Sequence, residues 1–283
     1  MTKFSFKGKT ALITGGSSGI GLALAKELAG DGAHIWLLAR DPLKLEQACQ
    51  QVREDCIEPQ QQVRTLQADV TNDTALAAVL QPLMDQAGTP DLLFNSAGMT
   101  HPGFFMDVDL DMHRKNMELN YFGTLYPTRL VVPGMVARGS GYIVNISSIA
   151  GFHGVIGYSA YSPSKFAVRG LSDVLYYELK PLGVKVSVVF PPDTATPQLA
   201  DENKIKPTLL KVLSEANNKV MQPAVVAHNI LRDVRKGSYL INPGPDSVLL
   251  YNLNSLPWHL PYRIMEIMIA DARRKVAKYQ SGH

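Results

Sequence analysis

The chain has 283 residues, of which 46% are hydrophobic and 19% charged, and its formal net charge is +3. Such a chain can bury a large core, so disorder is excluded as its main state, and the small net charge gives no general nucleic-acid footprint. Residues 1–200 hold 16 basic and 18 acidic groups, whereas residues 201–283 hold 12 and 7. The last third of the chain is therefore basic, and we expect no nucleic-acid partner.

Export, membrane-span and metal patterns are not apparent in the sequence. Cys49 and Cys56 match neither a zinc-binding pattern nor a disulfide framework, and the seven histidines have no metal-ligand spacing. The N-terminus lacks the apolar stretch of a signal peptide, and the longest uncharged run, residues 139–164, is too polar to span a bilayer. We expect free thiols, no metal and a cytoplasmic location.

Short apolar runs alternate with amphipathic stretches along the first two-thirds of the chain. The runs predict strands over residues 10–14, 33–38, 63–66, 91–94, 142–146, 184–189 and 239–241. The stretches between them predict helices over about 19–30, after Asp41-Pro42, from 71–73, over 112–138 and over 161–180. Near-continuous apolar strands separated by helices predict an α/β fold, with a seven-stranded parallel sheet covered on both faces in one doubly wound, Rossmann-type domain.

A glycine-rich turn lies between the first strand and the first helix. Gly15, Gly19 and Gly21 permit a tight turn, close approach to a pyrophosphate and close packing of the helix on the sheet. Their spacing is wider than the usual dinucleotide fingerprint and differs from the lysine-bearing phosphate loop. The turn favours a dinucleotide over a nucleoside triphosphate, and an ordinary structural turn is the alternative.

The end of the second strand bears on which dinucleotide is bound. An NAD-binding chain usually carries an acid here that accepts from the ribose 2′-hydroxyl, whereas this sequence has Arg40. A guanidinium suits a 2′-phosphate, and Lys44 or Ser17 would assist it. This favours NADP(H) over NAD(H), and a solvated surface charge is the alternative reading of Arg40.

A Tyr and a Lys four residues apart indicate acid–base chemistry. Tyr161 and Lys165 project from one face at the start of a predicted helix. A free phenol titrates near pH 10, and a nearby ammonium brings its pKa toward the working range. Ser148 follows the fifth strand and can reach the same cleft. Each residue alone has a structural explanation, but the combination predicts a catalytic site.

With these motifs, residues 8–200 resemble the short-chain dehydrogenase/reductase family. Asn95-Ser-Ala-Gly98 matches a family motif, apart from Ser96 where a second Asn is more usual, and Asn120 aligns with the Asn whose backbone kink holds a proton-relay water. Asp69-Val70 aligns with a pair that contacts adenine. The resemblance implies cofactor contacts by Gly15, Ser17, Ser18, Gly19, Ile20, Gly21, Arg40, Lys44, Asp69, Val70, Asn95, Ala97, Gly98, Tyr161, Lys165, Pro191, Thr194 and Thr196.

The same resemblance implies catalytic roles. Tyr161 would donate a proton to a substrate carbonyl, and Ser148 would hydrogen-bond that oxygen. Lys165 would lower the pKa of Tyr161 and hold the nicotinamide ribose, and Asn120 would connect the site to solvent. The family's four-helix contact involves residues 112–138 and 161–180, which implies a homo-oligomer.

One segment resembles a narrower group of the family, the 3-ketodihydrosphingosine reductases. It comprises Pro191-Pro-Asp-Thr-Ala-Thr-Pro197, with Glu202-Asn203 and Lys206-Pro207 downstream. These enzymes reduce 3-oxosphinganine, a long-chain lipid ketone, with NADPH. The alternatives are reduction of a 3-oxoacyl thioester, a sterol or a small ketone, and a non-catalytic NADP(H)-binding regulator.

We divide the domain into a cofactor half (8–150), a catalytic and substrate half (151–245) and a C-terminal extension (246–283). Within the extension, segments 247–251, 256–262 and 264–269 are largely apolar, and they are followed by the basic residues Arg273, Arg274, Lys275 and Lys278. This pattern suits a peripheral contact with an anionic membrane. A helix packed over the substrate cleft or against a dimer partner explains it equally well.

Overall fold

The computed structural model describes residues 4–215, 220–254 and 259–281. A seven-stranded sheet runs through it in the order β3-β2-β1-β4-β5-β6-β7, and every neighbouring pair is parallel. The strands are β1 (Thr10–Thr14), β2 (His34–Ala39), β3 (Val63–Gln67), β4 (Leu92–Asn95), β5 (Gly141–Ile146), β6 (Val184–Val189) and β7 (Leu240–Ile241). This sheet confirms the predicted α/β doubly wound fold.

Helices cover both faces of the sheet. They are α1 (Gly19–Gly30), α2 (Pro42–Glu54), α3 (Asp73–Ala87), α4 (Leu110–Asn116), α5 (Gly123–Ala137), α6 (Tyr161–Leu179), α7 (Pro197–Ile205), α8 (Thr208–Glu215), α9 (Pro223–Lys236), α10 (Pro245–Asn254) and α11 (His259–Ser281). The side chain of Asp41 accepts hydrogen bonds from the amides of Leu43 and Lys44, so it caps the N-terminus of α2.

Two apolar cores lie on opposite faces of the sheet, because successive strand residues point to opposite sides. On one face, Ile13 belongs to a core that includes α1, α2 and α9. On the other, Leu12 belongs to a core that includes α3 and α5. Both of these neighbouring β1 residues are 0% exposed, which explains why the strand reads as a continuous apolar run.

The strand order reverses between β1 and β4. Chains that leave β1 and β4 turn to opposite sides, which opens a crevice at the carboxyl ends of these strands. Thr14 and Asn95, the last residues of the two strands, lie side by side in the ladder. A ligand site at this edge is therefore built into the topology.

The structure differs from the predicted elements mainly in one helix. The stretch predicted over 112–138 is two α-helices, α4 and α5, joined by a π-helical turn over Met117–Phe122. The spacing of apolar residues in a sequence indicates which face of a helix is buried. A π-helical turn leaves that face nearly unchanged, so the spacing does not reveal the turn. The turn contains Asn120, the residue for which the resemblance implies a backbone kink.

The C-terminal extension forms two helices beside the carboxyl edge of the sheet. Helix α11 packs on α8, and α10 approaches the short 3-10 turn Ile149–Gly151 that follows β5. The predicted apolar segment 256–262 lies outside the described residues at Leu256, Pro257 and Trp258. In the described parts of the chain, every helix is too short or too polar to cross a membrane.

Candidate active site

The glycine turn forms an open cradle at the end of β1. Gly15 has φ +66°, and a Cβ atom there would lie 2.9 Å from Cα of Ala97. A Cβ atom on Gly21 would meet the carbonyl oxygen of Gly15 at 2.4 Å. Ser18 makes no side-chain cap, so the first amides of α1 are not used by it. A cradle that excludes side chains and presents a helix N-terminus fits a pyrophosphate.

Hydrogen bonds tie this turn to the loop after β4. The hydroxyl of Thr14 accepts from the amides of Ser96 and Ala97, each at 3.1 Å. A Cβ atom on Gly98 would lie 2.9 Å from Oδ1 of Asn120 and 3.4 Å from Nζ of Lys165. Glycine at this position therefore lets the loop approach the catalytic half closely.

Tyr161, Lys165 and Ser148 meet at the carboxyl edge of β5. Tyr161 is the first residue of α6, and Lys165 follows one turn later. The Lys165 ammonium donates to the carbonyl of Ile146 at 2.9 Å and lies 5.8 Å from the centroid of the Tyr161 ring. Ser148 lies between β5 and the 3-10 turn that follows it, and its hydroxyl accepts a hydrogen bond from the amide of Ala150 at 3.2 Å. These side chains form one compact group.

Burial acts on both titratable members of this group. It raises the pKa of Tyr161, an effect that the hydrogen bond with Ser148 opposes and that the charges of Glu202 and Asp193 increase. It lowers the pKa of Lys165 to about 8, because the ammonium is removed from water. In this structure Tyr161 is therefore a neutral phenol, the form that can donate a proton.

Asn120 lies behind this group and connects three elements. Its amide nitrogen donates to the carbonyl of Met99 at 2.9 Å and to the hydroxyl of Ser164 at 2.8 Å, and its Oδ1 accepts from the amide of Met99 at 2.8 Å. The side chain is fully buried. It joins the π-helical turn to α6 and to the loop after β4, which makes it a positioning residue in this structure.

An open cleft of about 570 Å³ collects most of the residues predicted from the sequence. The cofactor and catalytic candidates that line it are Gly15, Ser18, Gly19, Ile20, Ala97, Gly98, Ser148, Tyr161, Lys165, Pro191, Thr194 and Thr196. Gly19 has φ +55°, and a Cβ atom on it would lie 3.0 Å from Cγ2 of Thr196. The glycine turn near the start of the chain and the segment around Thr196 therefore face each other across the cleft.

The remaining candidates lie off the cleft within the described part of the chain. They are Ser17, Gly21, Arg40, Lys44, Asp69, Val70, Asn95 and Asn120. Arg40 is exposed and lies 3.6 Å from Asp69, just beyond the ends of β2 and β3. Asn95 is buried, and it donates to Thr128 and Asn145 instead of facing the cleft.

The structure adds a second polar group that the sequence did not assign to the site. The hydroxyl of Tyr158 donates to Glu202, and the ammonium of Lys206 lies 2.9 Å from the same carboxylate. Tyr158, Glu202 and Asp193 line the cleft beside Tyr161. Glu202 and Lys206 are four residues apart near the end of α7, a spacing that could have indicated a paired charge but not its burial.

The far side of the cleft is apolar. Helices α8, α10 and α11 line it with Leu210, Leu213, Leu250, Leu253, Ile264 and Met268. Of the three explanations of the C-terminal extension that the sequence left open, the structure thus supports a helix packed over the cleft. It leaves the opposite, exposed side of α11 available for other contacts.

A parallel doubly wound sheet with a glycine turn after its first strand and a Tyr–Lys–Ser group at its carboxyl edge defines a dinucleotide-dependent oxidoreductase. A family model described as short chain dehydrogenase matches residues 9–206. The chain therefore belongs to the short-chain dehydrogenase family, as its motifs predicted.

Individual proteins of this family resemble the chain in sequence and in fold. The chain is 43% identical over 244 residues to a 3-dehydrosphinganine reductase of Danio rerio, covering 86% of this chain and 73% of the relative. It is 29% identical, with a TM-score of 0.73, to a short-chain dehydrogenase from Sphingobium yanoikuyae in complex with NADPH, covering 95% of each chain. A short-chain dehydrogenase from Burkholderia phymatum in complex with NAD is 26% identical, with a TM-score of 0.78 and coverage of 89% and 94%.

Proposed function

We propose that this protein reduces the ketone of 3-oxosphinganine to the hydroxyl of sphinganine with NADPH. The observation that carries the proposal is the cleft itself, in which Tyr161, Ser148 and Lys165 lie at one end of an apolar wall. A long-chain ketone needs both parts, because its reacting carbon is polar and its tail is not. The Danio rerio relative carries the name of this reaction.

The residues of the chain suit a bound dinucleotide. The glycine cradle and the N-terminus of α1 would hold the pyrophosphate, Arg40 the 2′-phosphate, and Lys165 the nicotinamide ribose. Asp69 lies next to Arg40, and Asp69 and Val70 would contact the adenine. When bound, the cofactor supplies a hydride.

Protein side chains would carry the proton in this reaction. Tyr161, a neutral phenol in its buried setting, would donate its proton to the carbonyl oxygen of the substrate. The hydroxyl of Ser148 would hydrogen-bond that oxygen and stabilise its developing charge. Lys165 would supply positive charge beside the phenolate that remains, and Asn120 would hold the loop and α6 in register and connect the site to solvent.

The size and lining of the cleft support a lipid substrate. Its volume of about 570 Å³ falls within the range of small-molecule sites, and such sites are lined mainly by apolar side chains. Leucine, isoleucine and methionine side chains from three helices would bury the alkyl chain. Each buried methylene contributes about 0.8 kcal/mol, so a long tail would dominate the affinity.

Turnover assays with three ketones test the proposal. Protein and NADPH are incubated with 3-oxosphinganine, an acetoacetyl thioester and a steroid ketone, and the loss of NADPH absorbance is followed. We expect turnover of 3-oxosphinganine, and a loss of at least about 1000-fold in kcat for Tyr161→Phe with NADPH affinity unchanged within about threefold. The matched control is Tyr177→Phe on the same helix, which has an exposed side chain.

Two results would contradict the proposal. Turnover of the thioester alone would assign the cleft to another carbonyl substrate. No turnover of any ketone, with NADPH still bound, would favour a regulator.

We further propose that the protein is cytoplasmic, contacts a membrane peripherally and forms a homo-oligomer. Tyr262 and Ile267 are 60% and 68% exposed on α11. Arg273, Arg274 and Lys275 follow on the same helix and are exposed. Apolar side chains beside a basic cluster suit an anionic lipid surface. For the oligomer, α6 presents exposed apolar side chains, among them Phe166 and Val174.

A further inference from the structure

A buried ion pair joins the two short helices, α7 and α8, that border the cleft. The side chains of Glu202, on α7, and Lys206, which follows α7, are 9% and 2% exposed. Their charged atoms lie 2.9 Å apart, and the ammonium of Lys206 also donates to the hydroxyl of Ser214 on α8 at 3.4 Å. Lys206 therefore ties α7 to α8 across the turn that separates them.

The same pair fastens these helices to the segment that precedes α6. The hydroxyl of Tyr158 donates to Oε1 of Glu202, the atom that also contacts the ammonium of Lys206. One residue earlier, Gly157 packs against α8, since a Cβ atom on it would lie 2.3 Å from Cδ1 of Leu210. Two neighbouring residues thus hold the two helices, one through a polar contact and the other through an apolar one.

The segment before α6 is anchored independently of the ion pair. The amide of Gly103 donates to the carbonyl of Gly157 at 2.8 Å. The carbonyl of Tyr158 accepts from the amides of Tyr161 and Ser162 at 3.1 and 2.8 Å. Loss of the ion pair would therefore loosen α7 and α8 and leave the backbone that carries Tyr161 in place.

A buried ion pair suits a positioning role better than a stabilising one. Removing two charges from water costs about as much as their attraction returns, so apolar side chains of similar size would stabilise the fold equally well. The charged groups must, however, meet at hydrogen-bond distance, which fixes their geometry, whereas an apolar contact can slide. The pair thereby fixes the part of the cleft wall that α8 contributes, namely Leu210, Leu213 and Ser214.

We propose that Glu202 and Lys206 are positioning residues that hold α7 and α8 in place and thereby set how tightly the alkyl chain of the substrate binds. The inference rests on the proposed function, because a ketone needs a long chain to reach the wall that α8 forms. It assigns part of the affinity for long-chain ketones to a polar contact, although the chain itself is apolar. Proton transfer at Tyr161 does not depend on the pair.

Kinetics with a long and a short ketone test the proposal. The variant Glu202→Leu/Lys206→Met replaces the pair by apolar side chains, so neither charge is left buried alone. We expect its KM for 3-oxosphinganine to rise at least about tenfold, the effect of losing the burial of about two methylenes, with kcat within about threefold of that of the wild type. For an analogue whose alkyl tail is shortened to a propyl group, kcat/KM should change by less than about threefold.

Hydrogen exchange examines the same variant in the absence of substrate. The backbone amides of α8 should exchange at least about tenfold faster than in the wild type, and those of α6 should not change. A merely structural role would instead raise exchange in both helices, because the whole fold would be destabilised. The matched control is Asp201→Leu/Lys204→Met, which removes a pair near the end of α7 whose side chains are both 73% exposed. It should behave as the wild type in both measurements.

Three outcomes are decisive. Unchanged KM and unchanged exchange in the Glu202→Leu/Lys206→Met variant would overturn the positioning role and leave the proposed function standing. An equal loss on both ketones, with faster exchange in α6 as well as in α8, would overturn it too, because the pair would then only stabilise the fold. No turnover of any ketone by the wild type would overturn the proposed function, and faster exchange of α8 alone would then still support the role of the pair in holding that helix.

Discussion

Tyr161 and Lys165 respond in the same way to one physical cause. Burial penalises the charged form of each, so the pKa of the phenol rises and the pKa of the ammonium falls to about 8. The phenol keeps its proton for donation, and the ammonium stays partly protonated near neutral pH. In the proposed reaction this neutral phenol would be the proton donor, and substrate and cofactor would shift the pKa of both groups further.

At the residue scale, a substitution of Arg40 tests whether the protein prefers NADPH to NADH. Its exposed guanidinium lies beyond the end of β2 beside Asp69. A carboxylate in its place should repel a 2′-phosphate and accept a hydrogen bond from a ribose hydroxyl. We expect Arg40→Asp to shift the ratio of kcat/KM for NADPH to that for NADH by at least about 100-fold toward NADH.

The control for this measurement is Arg114→Asp, which reverses an exposed charge on α4, where Arg114 pairs with Asp111. Its cofactor ratio should stay within about twofold of that of the wild type. An unchanged ratio in Arg40→Asp would mean that Arg40 is only a solvated surface charge.

At the scale of an element, the packing of α1 on the glycine turn depends on the absence of one Cβ atom. A methyl group on Gly21 would lie 2.4 Å from the carbonyl oxygen of Gly15, a backbone atom that cannot move aside cheaply. Overpacking of this kind costs about 1–3 kcal/mol. Gly21→Ala should therefore lower the free energy of unfolding by this amount and weaken NADPH binding at least about tenfold.

Gly30→Ala provides the comparison within the same helix. A Cβ atom on Gly30 would meet its nearest neighbour, the carbonyl oxygen of Asp55, at an ordinary 3.9 Å. Its unfolding free energy should stay unchanged or rise slightly, because alanine favours helix. Chemical denaturation and fluorescence titration measure both effects. Equal stability and affinity in the two variants would show that the turn tolerates a side chain.

At the scale of the molecule, α10 and α11 line the cleft along the carboxyl edge of the sheet, and we propose that α11 also contacts a membrane. One side of these helices lines the cleft with apolar residues such as Leu253 and Met268. On α11, Arg263, Ile267 and Arg274 recur at spacings of four and seven, and all three are exposed. A lipid substrate could then pass from a membrane to the cleft along the same pair of helices.

Vesicle flotation tests this arrangement. The protein should float with vesicles that contain anionic lipid and much less with zwitterionic ones. Each basic residue near an anionic surface contributes about 1 kcal/mol. Arg273→Glu/Arg274→Glu/Lys275→Glu should therefore weaken binding at least about 100-fold.

The control variant carries three charge reversals elsewhere on the surface, Lys7→Glu, Arg232→Glu and Lys236→Glu, whose side chains are exposed. Its partitioning should stay close to that of the wild type. Equal loss in both triple variants would mean that net charge alone governs the association. Equal partitioning of the wild type on both lipid mixtures would discard a specific contact with anionic lipid.

The sequence determined those parts of the architecture that depend on the spacing of residues close together in the chain. Strand β6 and helix α1 begin and end where predicted, because a short valine-rich run favours a strand and a helix repeats its apolar residues every three to four positions. Tyr161 and Lys165 were found for the same reason, since four residues make one helical turn. The glycine turn is likewise encoded within seven residues.

Only the tertiary structure decided which distant groups share the cleft. Tyr158 and Glu202 are 44 residues apart, and no local period links them. The burial of Lys206, the π-helical turn at Asn120 and the position of α10 and α11 over the cleft depend equally on contacts between separate elements. Local periodicity thus located the sheet and the residue that we propose as the proton donor. Long-range packing decided the polarity of the cleft, because the burial and pairing of a charged side chain are set by neighbours that lie far away in sequence.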